Sequence, residues 1–126
     1  IYTQWYTLSL HDALPISALC DHEAFFKKRA CGWPHYFYYY GAPDEKQLET
    51  VRYYDTANFA RLLNVPGWLS WGYNDEVCPP TSMYAAYNVI ASPKELHPYL
   101  ETGHYWYQEQ WDEWLDWIRR QLNVPM

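Results

Sequence analysis

The chain is short of cysteine, of basic clusters and of long apolar runs, and each shortage removes a class of function. Its three cysteines are Cys20, Cys31 and Cys78. The number is odd and no Cys-x-x-Cys pair occurs, so neither a disulfide framework nor a zinc site is indicated. His22 and His35 have the chemistry of metal ligands, but no third ligand stands at a telling spacing. A structural or substrate-rim role is left for them. No metal and no cofactor is expected. The net charge is −6 and no patch of Lys and Arg forms, which argues against nucleic acid as a partner. No apolar run approaches the ~20 residues that a membrane-spanning helix needs. The compartment stays open between cytoplasm and export.

Aromatic residues are abundant: 8 Trp, 14 Tyr and 4 Phe. Rings of this size need surfaces to bury against. They supply core, interface or sugar-stacking surface. The first residues are of a different kind. Residues 7–16 read TLSLHDALPI. Back-translated as ACT CTT TCC CTA CAC GAC GCT CTT CCG ATC, they spell the 3′ part of a synthetic sequencing adapter. The expectation is that residues 1–17 are a translated adapter artefact, to be left out of fold reasoning like any scar. Residues 18–126 are then expected to be a piece of a longer protein. The segment is not a signal peptide, because it lacks a basic start and a long apolar stretch.

The order of elements argues for α/β architecture. Ala18-Leu19-Cys20 reads as the tail of a buried strand left by Asp21-His22, and residues 23–30 as a short helix stopped by Gly32 and Pro34. An aromatic block from Trp33 to Tyr40 closes at Gly41-Ala42-Pro43, a turn signal. Asp44 can cap a helix running through Leu48, Val51 and Arg52. A second helical stretch is expected over 56–63, with Phe59, Leu62 and Leu63 facing inward. Gly67-Trp68-Leu69-Ser70-Trp71-Gly72 is a short apolar run bounded by Pro and Gly, and reads as a buried strand. Thr81 or Ser82 is expected to cap the next helix, which carries Met83, Tyr84, Tyr87 and Ile90 and ends at Pro93. Residues 95–100 are strand-like, with Pro98 pointing to an edge. In the last helix Trp111, Trp114, Leu115, Ile118 and Leu122 recur at helical spacing, with acids early and Arg119 and Arg120 late. Strand and helix in alternation predict a parallel sheet.

Two loops carry the candidate chemistry. In open α/β sheets functional groups gather at the carboxyl ends of strands. Asp75 follows the 68–71 strand and His104 follows the 96–100 strand. Acid and then His, in that order, is the second half of a Ser…Asp…His hydrolase triad. The carboxylate would fix the imidazole tautomer and leave the other ring nitrogen to take a proton from serine. On spacing alone, Asp75 is equally a turn residue, and Gly-His is a common loop dipeptide.

A longer pattern bears on that choice. Tyr54-Asp55-Thr56-Ala57-Asn58-Phe59-Ala60 is followed by Val65-Pro66 and by Gly72-Tyr73-Asn74-Asp75-Glu76-Val77-Cys78-Pro79-Pro80-Thr81-Ser82. Then come Tyr84-Ala85-Ala86-Tyr87-Asn88, Pro93-Lys94-Glu95-Leu96 and Gly103-His104. These stretches closely resemble the acetyl xylan esterase / cephalosporin-C deacetylase family, over essentially all of residues 18–122. The resemblance implies the C-terminal part of an α/β-hydrolase fold. It implies a serine esterase that removes acetyl groups from acetylated xylan, xylo-oligosaccharides or similar small esters. Asp75 matches the family's triad acid and His104 its triad base. The resemblance also implies that the full-length protein forms a homo-oligomer, in this family a ring. Pro79 and Pro80 would stiffen the loop behind Asp75 by fixing φ and removing two donors.

The nucleophile is missing from the pattern. No Gly-x-Ser-x-Gly occurs: Ser9 and Ser17 lie in or beside the adapter stretch, Ser70 is inside a strand, and Ser82 and Ser92 lack flanking glycines. The elbow is expected one helix and one strand upstream, together with the oxyanion donors. The chain is therefore expected to be inactive alone. Cys78 shares the Asp75 loop, as a buried thiol or as a nucleophile near His104. Trp33, Tyr36, Trp106 and Tyr107 have faces suited to sugar rings, or serve as core and subunit contacts. Asp55 and Asn58 are expected to brace the short helix, and Glu101 and Glu109 to be solvated charges. Two other readings stand beside the esterase. One is another α/β-hydrolase branch, of dienelactone hydrolase or prolyl-oligopeptidase type. The other is a non-catalytic carbohydrate-binding or oligomerisation module.

Overall fold

The computed structural model describes Ala24, Lys27 and residues 41–123. The adapter-like stretch 1–17, the strand tail at 18–20, His22, the aromatic block with Trp33, His35 and Tyr36, and Cys20 and Cys31 lie outside the described residues. Of the predicted helix at 23–30, Ala24 is helical and buried.

Two short helices come first. Helix α1 is Glu45–Val51, capped by Asp44. The Asp44 carboxylate accepts from the Gln47 N–H at 2.7 Å, and the Gln47 side chain accepts from the Asp44 N–H at 3.0 Å. Two donors at the helix start are thereby satisfied reciprocally. Helix α2 is Thr56–Ala60, capped by Asp55 through the Ala57 N–H. The Asn58 amide holds the Arg52 carbonyl at 2.8 Å, so both residues brace the helix as expected. The inward face of α2 differs from expectation. Phe59 and Leu62 are 55 % and 75 % exposed, and Thr56 and Ala60 are the buried pair. The helix stops after five residues, which puts Leu62 in the following turn; of Phe59, Leu62 and Leu63, Leu63 is the one that packs against the core.

Strand β1 is Gly67–Gly72, and strand β2 is Lys94–Tyr99. They pair in parallel, Gly67 with Lys94 through Gly72 with Tyr99. All six β1 residues are buried, as the short, largely apolar run predicts for a strand covered on both faces. Alternation sorts its side chains. Leu69 and Trp71 join Ala60, Met83, Ala86 and Ile90 in the core on one side. Ser70 faces the opposite side and meets Gln110. Pro98 is exposed and lies opposite Trp71, at the edge position its missing N–H favours.

Helix α3, Pro80–Val89, connects the strands. It starts earlier than expected. Pro79 is the N-cap and Pro80 sits at N1, where its fixed φ suits a helix start and its missing N–H leaves no bond unmade. Thr81 and Ser82 fall inside the helix, and Ser82 is buried. The far end is closed by Lys94, whose ammonium donates to the Tyr87 and Ile90 carbonyls at 2.6 and 2.7 Å. A cation on the last carbonyls suits the helix dipole, and it ties α3 to the first residue of β2.

Helix α4 is Gln108–Leu122, ending at Asn123 in the left-handed region with φ 53°. Its buried residues are Gln110 and Trp117, with Trp111, Trp114 and Ile118 partly covered. Leu115 and Leu122, expected inward, are 39 % and 51 % exposed. Polar anchors set this rotation. Gln110 donates to Ser70 Oγ at 3.1 Å, and Trp117 Nε1 donates to Glu95 at 3.0 Å. Among the described residues, no helix is long and apolar enough to cross a membrane.

Candidate active site

The two strands end side by side, and so do the loops that follow them. The chain leaves β1 at Gly72, against the backbone of the neighbouring loop. A Cβ on Gly72 would sit 2.6 Å from the Thr102 carbonyl oxygen and 2.7 Å from its hydroxyl, so no side chain fits there. The close approach lets main chain bond to main chain. The Tyr73 N–H donates to the Tyr99 carbonyl at 2.9 Å, and the Asn74 N–H donates to the Thr102 carbonyl at 3.0 Å. The Asn74 side chain adds a bond to the Leu100 carbonyl at 2.8 Å. Thr102 is buried and turns its hydroxyl back onto the Tyr99 carbonyl. Loops 73–79 and 100–107 are thus held as one unit.

That unit brings Asp75 and His104 together. Asp75 is 9 % exposed and buried beneath its own loop. One carboxylate oxygen accepts from the N–H groups of Val77 and Cys78 at 2.9 and 2.8 Å. The other lies 2.9 Å from His104 Nδ1. A carboxylate can only accept, so Nδ1 carries the proton and Nε2 keeps its lone pair. The His104 side chain is 40 % exposed, so its ring reaches the surface while its partner does not. The Asp75 loop fixes the carboxylate through two main-chain donors, and the carboxylate fixes the imidazole.

Cys78 lies in the same loop and is buried. Burial, and secondarily the negative charge of Asp75, push its thiol up to about 11. A thiol so shifted stays protonated at neutral pH, which suits a packed thiol and not a nucleophile. Asp75, Cys78 and His104 offer ligand atoms that all lie within 4.8 Å of one another. Chain order and the shared loop pointed to the three lying near one another, but not to a metal, because the spacing from Cys78 to His104 matches no metal motif.

The aromatic residues after His104 form a chain of rings. Tyr105 and Tyr107 meet edge to face at 5.4 Å, and Trp106 packs on Trp111 at 4.9 Å. Trp106 also approaches Trp68 at 6.3 Å, so it is partly committed to packing. Tyr107 is exposed beside a groove of about 520 Å³ lined by Pro98, Tyr99, Leu100, Glu101, Thr102 and Glu109. Glu101 and Glu109 are exposed, as expected. Among the described serines, Ser70 accepts from Gln110 inside β1, Ser82 is buried, and Ser92 is half-buried with its hydroxyl oxygen covered.

The chain is similar to several known proteins. The family model described as acetyl xylan esterase (AXE1) matches residues 34–121. Acetyl esterase Axe7A of Xylanibacter ruminicola is 36 % identical over 106 residues, which are 84 % of this chain and 24 % of that protein. The acetyl xylan esterase from Paenibacillus sp. R4 superposes with a TM-score of 0.64 at 27 % identity, covering 81 % of this chain and 34 % of its own. Acetyl xylan esterase 1 from a Thermoanaerobacterium species gives a TM-score of 0.56 at 30 % identity, over 64 % of this chain and 26 % of its own. The chain therefore spans about a quarter to a third of the length of these relatives. Two parallel strands joined by a helix, with an acid and a histidine at their carboxyl ends, are part of an α/β-hydrolase fold, and the chain belongs to the acetyl xylan esterase family.

Proposed function

We propose that this chain carries the acid and the base of a serine esterase, and that the nucleophile is supplied by sequence upstream of residue 18. The observation that carries the proposal is the 2.9 Å hydrogen bond from His104 to a carboxylate that two main-chain donors hold in place. In this reading His104 Nε2 accepts the proton of a serine hydroxyl as it attacks an acetyl carbonyl. Asp75 holds the imidazole in the needed tautomer and stabilises the imidazolium that forms. His104 then returns the proton to the departing sugar oxygen. The substrates are acetylated xylan, xylo-oligosaccharides or similar small acetyl esters, supported by family membership and by the acetyl esterases among the relatives. Oligomerisation of the whole protein belongs to the same proposal. Exposed Tyr53, Tyr54, Phe59 and Leu62 are apolar surface that a second copy or further chain would cover.

Without a Gly-x-Ser-x-Gly elbow and its oxyanion donors, residues 18–126 alone have a base but nothing for it to activate. Purified 18–126 is expected to hydrolyse a chromogenic acetyl ester no faster than buffer does. The same chain extended upstream, in frame, to include the elbow is expected to turn over the ester. Hydrolysis by 18–126 alone that a serine-directed phosphonate blocks would overturn the proposal.

A further inference from the structure

We propose that Asp75, Cys78 and His104 also form a zinc-binding site, in which one Zn²⁺ replaces the proton between His104 and Asp75 and takes the Cys78 thiolate as its third protein ligand. The three ligand atoms already lie within 4.8 Å of one another. His104 Nδ1 and Asp75 Oδ2 are 2.9 Å apart. Ligand atoms on one tetrahedral Zn²⁺ stand about 3.5 Å apart, given metal bonds of about 2.0–2.3 Å. The pair therefore has to open slightly, and Cys78 Sγ, which lies within 4.8 Å of the other ligand atoms, to close by about 1 Å.

The donor set is the right one. A thiolate, an imidazole and a carboxylate select Zn²⁺ over hard cations, and three protein ligands leave a fourth position for water. The partly exposed His104 ring gives the ion a path in. An outer support is also present: the second Asp75 oxygen is held by the Val77 and Cys78 N–H groups, which orient the carboxylate. The proton balance closes. The thiol loses its proton to solvent, the imidazole proton moves from Nδ1 to Nε2, and no redox step occurs. The ion and the hydrogen bond are mutually exclusive. If His104 acts as the proposed base, which rests on the preceding reading, bound Zn²⁺ switches it off by placing a proton on Nε2.

The binding test needs no ester, so its failure leaves the esterase reading untouched. The chain is titrated with Co²⁺ as a spectroscopic stand-in and then with Zn²⁺ in competition. One equivalent of Co²⁺ is expected to bind with a thiolate-to-metal charge-transfer band that Zn²⁺ abolishes. Cys78→Ser is expected to remove the band. His104→Gln, a change at a partly exposed ring that spares the core, is expected to weaken binding by at least ~10-fold. The Cys20→Ser/Cys31→Ser double variant is expected to keep both band and affinity. A band that survives Cys78→Ser, that vanishes in the double variant, or that is equally strong in the urea-unfolded chain overturns the proposal, as does the absence of any band.

Discussion

Single residues at the ends of two strands carry most of what is specific in this chain. Gly72 is the clearest. Its position against Thr102 and Gly103 has no space for a methyl group, and main-chain atoms are the obstacle. Gly72→Ala is expected to push the two loops apart. It should destabilise the chain by about 1–3 kcal/mol, as overpacking does, and weaken the His104–Asp75 hydrogen bond. Urea unfolding measures the first effect, and the downfield His104 ring N–H signal measures the second; an unchanged signal contradicts it. Cys78 gives a pH test. An acid whose folded pKa lies above its ordinary value favours the folded state in its protonated form. Its effect on stability is absent below about pH 9 and turns unfavourable as pH rises from 9.0 towards about 11, because the unfolded chain gives up its proton first. Stability measured against pH should fall in that window, and Cys78→Ala should flatten the fall.

At the scale of elements, polar contacts decide orientation where apolar ones leave it free. Gln110 is fully buried and works at both ends of its amide. It donates to Ser70 Oγ across the β1–α4 interface and accepts from the Tyr107 N–H at the start of its own helix. Gln110→Ala removes both, taking the donor from the buried Ser70 hydroxyl and the acceptor from the part-buried Tyr107 N–H. It should cost about 1–3 kcal/mol in denaturant unfolding, whereas Gln108→Ala on the exposed side should cost well under half of that. A periodicity reading cannot find such a residue. The stripe of Trp111, Trp114, Leu115, Ile118 and Leu122 gave the right helix but a rotated face. Trp117, whose indole reaches Glu95, and Gln110 are what the helix buries. The same limit applies to α2, where five residues are too few for a stripe and Phe59 stays exposed. By contrast, β1 was legible because burial on both faces favours a short, largely apolar run bounded by Pro and Gly. The Asp44 cap was legible because its chemistry is local. Pro80 was readable as a helix start, and the hydroxyl residues after it were the wrong choice because the proline pair sets the cap earlier. Asp75 and His104 were marked by chain order and by likeness to known esterases. Their contact follows from parallel pairing in register, which puts both loops at one end of the sheet.

For the whole molecule, the central fact is disproportion. Asp75 and His104 are hydrogen-bonded in place, yet the chain spans only about a quarter to a third of its relatives. The proposal that residues 1–17 are adapter-derived predicts that source DNA read upstream of the Ala18 codon lacks these codons. It should show instead an in-frame Gly-x-Ser-x-Gly roughly 20–30 residues earlier, one helix and one strand away by ordinary element lengths. The most direct test of the account is kinetic. In the protein extended to include that serine, Asp75→Asn removes the acceptor for Nδ1–H while preserving volume. The account predicts that kcat on an acetyl ester falls by about 10⁴-fold with little change in KM. An Asp75→Asn protein that turns over as fast as the unaltered one would show that the Asp75–His104 pair is not the acid–base machinery.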